Sequence, residues 1–369
     1  MRILMLNYEF PPLGGGGSPV SYEIAKGYIK LSHRVDVITM GFKELPEFEV
    51  KDGINIYRVK CVRSKKEICY PHEMFSFLFP AFLKAYSLHK KNNYDINHTH
   101  FIIPTGIISY FLKKFSGLNY IVTTHGSDVL GYNKRFNKFY PVLKPLWKTI
   151  VKNANYVITP SKFLQNKIKK ITKNCNLKVI PHSIDLNKIK PMEKEKYILL
   201  CSRLFINKGV QDFLKAIKDV NLEEWTVKIA GEGPYKKELI KLRDKYNLKE
   251  KVDFLDWIDN KSKEYVELFG HASIFICPSW FESMGITLME AAAAGDAIIT
   301  TNTTGCSEVI DDTALLVRPK NSGDIYQALL KLIKNEELRK ELGSKARKRA
   351  KDIFNWENTI KRYEEALKK

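Results

Sequence analysis

The densest set of chemically competent residues lies in Pro278-Ser-Trp-Phe-Glu282-Ser-Met-Gly-Ile-Thr-Leu-Met-Glu290-Ala-Ala-Ala-Ala-Gly295, a turn that follows an apolar strand and opens a helix. Such a turn presents backbone amides at a helix N-terminus, where a phosphate is favourably held. Glu282 falls in the turn and Glu290 in the first turns of the helix, where a carboxylate can accept paired hydrogen bonds from adjacent sugar hydroxyls. The competing reading makes Glu282 a helix cap and Glu290 a surface charge; the arrangement as a whole favours the first. Upstream, Ser202-Arg203-Leu204 ends a strand before Lys208-Gly209. Two fixed cations at a sheet edge can neutralise a pyrophosphate without a metal ion, although taken alone a surface Arg and Lys is the better reading. Gly231-Glu232-Gly233-Pro234 follows the next strand; its glycines serve either close approach to a ligand or a tight turn.

The N-terminal half contributes Gly14, Gly15, Gly16 and Gly17 between the first strand and its helix, a loop able to cradle phosphate or to act as a lid. It lacks the Gly-x-Gly-x-x-Gly spacing, and the second strand ends in Thr39-Met40 with no acidic residue for a ribose. A nicotinamide oxidoreductase is therefore disfavoured. His125, in Thr124-His125-Gly126-Ser127-Asp128, follows a strand and faces the ligand edge. His98 and His100 flank Thr99 at another strand end; without a third ligand spaced nearby, packing or hydrogen bonding suits them better than a metal. His182 reads as part of an interdomain connection.

These residues need a frame to converge. Short apolar segments at residues 2–7, 34–40, 96–99, 120–124 and 156–159, separated by helical stretches, imply a parallel sheet covered on both faces. The pattern restarts with strands at 197–202, 225–230, 252–254, 274–277, 297–300 and 314–317. The fold class is thus α/β, with two Rossmann-like domains, 1–188 and 189–352, facing across a cleft, and a last helix in 353–369 crossing back to the first. In such sheets ligands bind beyond the carboxyl ends of the strands.

A chain of 369 residues with a hydrophobic fraction of 44% suits two globular cores. The apolar runs at 75–83 and 101–112 are short and interrupted by Pro80, or by Pro104 and Gly106, so no membrane span is expected. Residues 1–7 read as a strand rather than a signal peptide. The expected location is cytoplasmic, at most peripheral on the inner face of the membrane. Six cysteines without a Cys-x-x-Cys pair suggest neither zinc nor disulfides. The net charge of +20 is uneven: residues 1–189 hold 29 Lys/Arg against 12 Asp/Glu, and 190–369 hold 32 against 29. Within 101–189 the count is 15 against 2, which points to an anionic membrane surface contacted through that stretch. Nucleic acid is not expected as a partner, because no recognised module accompanies the charge.

Taken together, the glycine loop, "HTH…PTG", "THGSD", "ANYVITPS", "VIPHSID", "SRL…NKG", "GEGP", the Glu-x7-Glu segment and "FNWENTIKRYEEAL" resemble the retaining glycosyltransferases of family 4 (glycosyl transferases group 1). That family has the GT-B fold and includes phosphatidylinositol mannosyltransferases and sucrose synthase-like enzymes. The resemblance implies transfer of a hexose from a UDP- or GDP-sugar donor to a lipid-linked or glycan acceptor, with retention of configuration and no metal or other cofactor. It further implies that Glu290 binds the donor ribose and Glu282 the donor sugar. Amides of Gly285, Ile286 and Thr287 would hold sugar or phosphate, and Arg203 and Lys208 the departing diphosphate. His125 would touch the transferred sugar, and Gly15, Gly16 and Gly17 would lie beside diphosphate and acceptor. Departures from the family pattern are His182-Ser183 for Asn-Gly, Asp296 in Gly295-Asp296-Ala297-Ile298, and Thr304-Gly305-Cys306. A non-catalytic nucleotide-sugar or carbohydrate-binding protein on the same fold is the alternative.

Overall fold

The computed structural model describes residues 1–131, 140–302 and 305–368. They form two compact units, Met1–His182 with Trp356–Lys369, and Ser183–Asn355; the sequence placed these divisions after residues 188 and 352. The first unit is built on the strands β1 (Arg2–Leu6), β2 (Arg34–Met40), β3 (Phe48–Lys51), β4 (Ile54–Val59), β5 (Ile96–His100), β6 (Tyr120–Thr123), β7 (Tyr156–Thr159) and β8 (Leu177–Val179). Their order is β3-β4-β2-β1-β5-β6-β7-β8. Its helices are α1 (Gly17–Lys30), α2 (Pro71–Asn92), α3 (Thr105–Ser116), α4 (Tyr140–Asn153), α5 (Lys162–Ile171) and, from the end of the chain, α13 (Trp356–Leu367).

The second unit has β9 (Glu195–Cys201), β10 (Thr226–Ala230), β11 (Val252–Leu255), β12 (Ala272–Cys277), β13 (Ala297–Thr301) and β14 (Leu315–Val317), in the order β11-β10-β9-β12-β13-β14. All its pairs are parallel. Its helices are α6 (Val210–Ile217), α7 (Lys236–Lys245), α8 (Lys263–Gly270), α9 (Ile286–Ala294), α10 (Gly305–Ile310), α11 (Ser322–Lys334) and α12 (Glu336–Ile353). Continuous apolar strands bury both faces, as parallel sheets require. In β9, Ile198 and Leu200 enter one core with Phe213 of α6 and Leu329 of α11, while Leu199 enters the other with Phe275 and Ala346 of α12. Helix starts follow capping chemistry: the Ser161, Ser262, Asn321 and Asn335 side chains accept from N–H groups in the first turns of α5, α8, α11 and α12.

Two expectations need correction. The first sheet is not wholly parallel, because β3 pairs antiparallel with β4. A hairpin turns at Asp52 and Gly53, both in the left-handed region (φ 50° and 78°), as a tight two-residue turn demands. Pro80 does not interrupt the apolar run at 75–83, which lies inside α2. Burial of Phe77, Ala81, Ala85 and Leu88 along one side outweighs the single backbone hydrogen bond that proline forfeits.

Strand order locates the ligand edge in each unit. From β1 the chain moves outward to β2 and β4, then returns to β5 on the other side of β1. From β9 it moves to β10 and β11, then returns to β12 on the other side of β9. Each reversal leaves a crevice at the carboxyl ends of two neighbouring strands, where doubly wound sheets bind ligands. Among the described residues, no helix is long and apolar enough to cross a membrane.

Candidate functional site

The sequence-predicted residues fall at or beside these two reversals, one set in each unit, with Gly231, Glu232 and Gly233 after β10 and His125 after β6. In the second unit, Arg203 and Lys208 follow β9, and Glu282, Gly285 and α9 follow β12. The two loops are latched together. Trp280 N donates to Asn207 O at 2.9 Å, and the Trp280 indole N–H donates to Asp212 Oδ2 at 2.6 Å. Gly209 sits at φ 71°, and a Cβ there would lie 2.1 Å from Pro278 O, so only glycine lets the first loop seat on the second.

This latch sets the Lys208 ammonium against the Glu282 carboxylate, with both side chains largely buried. Burial by itself would depress the lysine pKa, but the adjacent carboxylate outweighs it and holds Lys208 above its ordinary value. Glu282 also accepts from Ser283 N at 3.2 Å. Arg203 is exposed, its guanidinium 5.4 Å from the Phe205 ring centre.

Helix α9 begins at Gly285 (φ 77°) without a capping side chain, and Ile286 and Thr287 provide its first amides. Glu282 is therefore not the cap. Nor is Glu290 a surface charge: it is 8% exposed, and its Oε2 accepts from the Tyr265 hydroxyl at 2.7 Å. Burial lifts its carboxyl to about 7, against the opposing pull of Tyr265 and Lys188.

Gly231 and Gly233 pack against protein backbone, since a Cβ on either would lie 2.0 Å from Ser202 O or 2.3 Å from Leu204 O. Their close approach is between two turns, which supports the tight-turn reading. Glu232 pairs with Lys236 at 2.5 Å. Asp296, the departure noted above, has a fully buried side chain bonded to Lys194 at 2.7 Å, and burial raises its carboxyl to about 7. Thr304 lies outside the described residues.

In the first unit Gly15, Gly16 and Gly17 form the entrance to α1, with Gly16 at the cap position and no capping side chain. A Cβ on Gly17 would lie 3.0 Å from Cγ and Nδ1 of His125, so the loop and the histidine are in contact. Asp128 holds the His125 turn: Oδ1 accepts from His125 N at 3.0 Å and Oδ2 from Ile102 N at 2.8 Å. Burial lifts the Asp128 carboxyl to about 6, opposed by these N–H donors.

Four imidazoles stack in a row, those of His98, His100 and His182 buried and that of His125 partly so. Ring centres are 4.5 Å apart for His98 and His100, 5.3 Å for His100 and His125, and 5.5 Å for His125 and His182. His100 Nδ1 and His125 Nε2 share a hydrogen bond of 3.1 Å. His98 Nδ1 meets the Tyr28 hydroxyl at 3.0 Å, and its Nε2 meets Thr123 Oγ1 at 2.8 Å. Burial takes His98 down to about 3 and His182 to about 4, and lowers His100 and His125 well below the usual range. The row is neutral at physiological pH, so His125 can exchange hydrogen bonds with a ligand without adding charge. His98 and His100 have the hydrogen-bonding role expected of them. His182 ends the first unit as one end of the row. Among the described residues, no group of three or more His, Cys, Asp or Glu side chains is placed to hold a metal ion.

Sequence reasoning missed Tyr265, Trp280, Asp212 and the anchoring role of Asp128. Asp128 carried a signal, an aspartate three residues after His125 in a glycine turn. Tyr265 carried none, being on α8, a different helix from Glu290.

Residues 182–349 match the family model described as Glycosyl transferases group 1, and residues 14–188 match Glycosyltransferase Family 4. An uncharacterized glycosyltransferase of Methanocaldococcus jannaschii is 27% identical, over 98% of this chain and 96% of that protein. Among solved structures, sucrose-phosphate synthase from Thermosynechococcus elongatus superposes with a TM-score of 0.87 at 20% identity, covering 100% of this chain and 98% of the other. The Anabaena protein HepE, solved in complex with UDP, gives a TM-score of 0.81 at 18% identity and covers 100% of both chains. Both structural likenesses establish the fold.

Proposed function

Because the chain belongs to the group 1, family 4 glycosyltransferases, we propose that it moves a hexose from a UDP- or GDP-sugar to a lipid-linked or glycan acceptor, retaining anomeric configuration and using no metal. The observation that carries this reading is the Lys208–Glu282 pair at the β9/β12 reversal, beside the uncapped start of α9 and with Arg203 on the same sheet edge.

Breaking the bond to the sugar leaves negative charge on a diphosphate. Lys208, Arg203 and the amides of Gly285, Ile286 and Thr287 form a preorganised positive surface for it, and such stabilisation is the largest single source of rate in many enzymes. The carboxylate of Glu282, engaged with Lys208, is suited to accepting hydrogen bonds from donor-sugar hydroxyls. Glu290, held by Tyr265, is suited to the ribose diol. In the first unit, His125 is suited as a neutral partner to a sugar hydroxyl, and Gly15, Gly16 and Gly17 with the uncapped start of α1 are suited to a phosphate or the acceptor. No covalent nucleophile is assigned, so the leaving diphosphate assists attack of the acceptor on the same face. The two cations take the charge-neutralising part that a metal plays elsewhere. The UDP complex of HepE makes UDP-sugars the first donors to test.

The test pairs a thermal-shift panel of UDP- and GDP-sugars with a transfer and hydrolysis assay. The expected result is stabilisation by one nucleotide class and turnover that Arg203→Ala and Glu282→Gln abolish with the fold retained. Full activity in both variants overturns the site. Binding without any turnover identifies the binding-protein alternative instead.

A further inference from the structure

Helix α2 has two apolar sides. One, including Phe77, Ala81, Ala85 and Leu88, is buried. The other places Phe75, Phe79 and Leu83 in solvent, at 54%, 70% and 50% exposure. Their four-residue spacing aligns them in one stripe along the helix. The neighbouring α3 adds Phe115 at 59% exposure. Its ring stands edge-on to half-buried Phe82 of α2 at 6.1 Å and stacks on Phe111 at 6.0 Å. The aromatic surface thus runs across two helices, whereas singly scattered exposed apolar residues would need no explanation.

The charge around it has one sign. Helices α2, α3 and α4 carry eight lysines, no arginine and one acidic residue, Glu73. That glutamate is buried and accepts from Ser64 N at 2.8 Å and Tyr70 N at 2.7 Å, so it does not offset the lysines at the surface. Lys84, Lys90 and Lys113 lie over the rings of Tyr57, Tyr86 and Tyr120, and Lys91 and Lys114 are exposed.

We propose that this face of α2 and α3 docks on an anionic phospholipid bilayer. Phe75, Phe79, Leu83 and Phe115 enter the boundary between headgroups and acyl chains, and the flanking lysines extend to the lipid phosphates. A diffuse negative surface suits long, flexible lysines, whereas tight protein interfaces concentrate Trp, Tyr and Arg. Charge counting alone pointed to residues 101–189; the exposed stripe precedes that stretch and only Phe115 lies within it. The inference is independent of donor and acceptor chemistry, because its readout requires no turnover.

The experiment is co-sedimentation of the full chain with vesicles of phosphatidylcholine, alone or mixed with phosphatidylglycerol, at low and high salt. Binding is expected only to the anionic vesicles and is expected to weaken with salt. Phe75→Ser with Phe79→Ser and Leu83→Ser should lower the bound fraction about tenfold or more, with circular dichroism and melting temperature retained because these side chains are exposed. Lys90→Gln, Lys91→Gln and Lys114→Gln together, a set that leaves the apolar stripe intact, should remove the preference for anionic lipid. Equal pelleting with neutral vesicles overturns the proposal, as does undiminished binding by the triple serine variant. It is also overturned by a concentration-dependent dimer that the serine variant abolishes while vesicles remain unbound, since the face then joins two copies.

Discussion

Replacing Lys208 with methionine removes the cation that faces Glu282. The two side chains are 18% and 17% exposed, which places the pair between exposed ion pairs, worth about 0.2–1 kcal/mol, and fully buried ones, whose rupture costs about 3–5 kcal/mol. Lys208→Met should therefore cost about 2 kcal/mol, chiefly from the carboxylate left without its partner. Glu282→Gln leaves the lysine facing a neutral acceptor and should cost about 1 kcal/mol. The double variant has no unpaired charge, so its loss should fall short of the sum by about 1 kcal/mol. Urea unfolding followed by tryptophan fluorescence reads the cycle, because Trp280 is latched into the same pair of loops. Transfer activity gives the second readout. A pair that exists only for stability should recover activity in the double variant, whereas one that holds the donor should stay inactive in all three. Strict additivity of the unfolding energies refutes the coupling, and recovered transfer refutes the donor role.

Three further outcomes can be measured. Glu290 is lifted to about 7 from an ordinary value of 4.5, so the fold retains a proton that the unfolded chain releases. Stability from this group is fullest below about pH 4.5 and falls by at most about 3 kcal/mol as pH climbs through 7; Glu290→Gln should gain on wild type in melting temperature from pH 5 to pH 8, and parallel curves would refute the reasoning. Gly209→Ala meets both a left-handed φ and the Pro278 carbonyl 2.1 Å from the new Cβ, and should cost about 3 kcal/mol or more, so an unchanged calorimetric melt of the second unit counts against it. Asp128→Ala strips the Ile102 and His125 amides of their acceptor; it should cost about 2–3 kcal/mol and lower transfer, with Asp128→Asn milder because it keeps one oxygen acceptor.

Which parts of this protein could be read beforehand follows from the range of the forces involved. The strands of the second unit were visible because segments such as Ile274, Phe275 and Ile276 are apolar on both faces. The loops bearing Arg203, Lys208 and Glu282 were visible because glycine and polar residues interrupt those runs. Hairpin β3–β4 escaped notice because β3 is only four residues long and mostly exposed, although Phe48-Glu49-Val50-Lys51 alternates apolar and polar residues and Asp52-Gly53 was a usable turn signal. Partnerships set by tertiary packing left no local trace. Tyr265 meets Glu290 only because α8 lies beside α9, and the imidazole row needs β5, the turn after β6 and the residue after the Ile180-Pro181 bend to converge. Strand order, which identifies the crevices, is likewise a property of the assembled sheet.

The placement of α13 governs the order in which the molecule can be completed during synthesis. Its Tyr363 ring lies 5.6 Å from that of His98, its Arg362 donates to Val179 O at 2.6 Å, and α1 packs along it. These contacts complete the unit that comes earlier in the chain, yet they are encoded by a helix that follows the whole of the second unit. The second unit, drawn from one unbroken stretch, can close while the first still waits for its final piece. The unit that begins earlier in the chain therefore matures after the other, and the histidine row gains its Tyr363 cover only once the whole of the second unit has been translated.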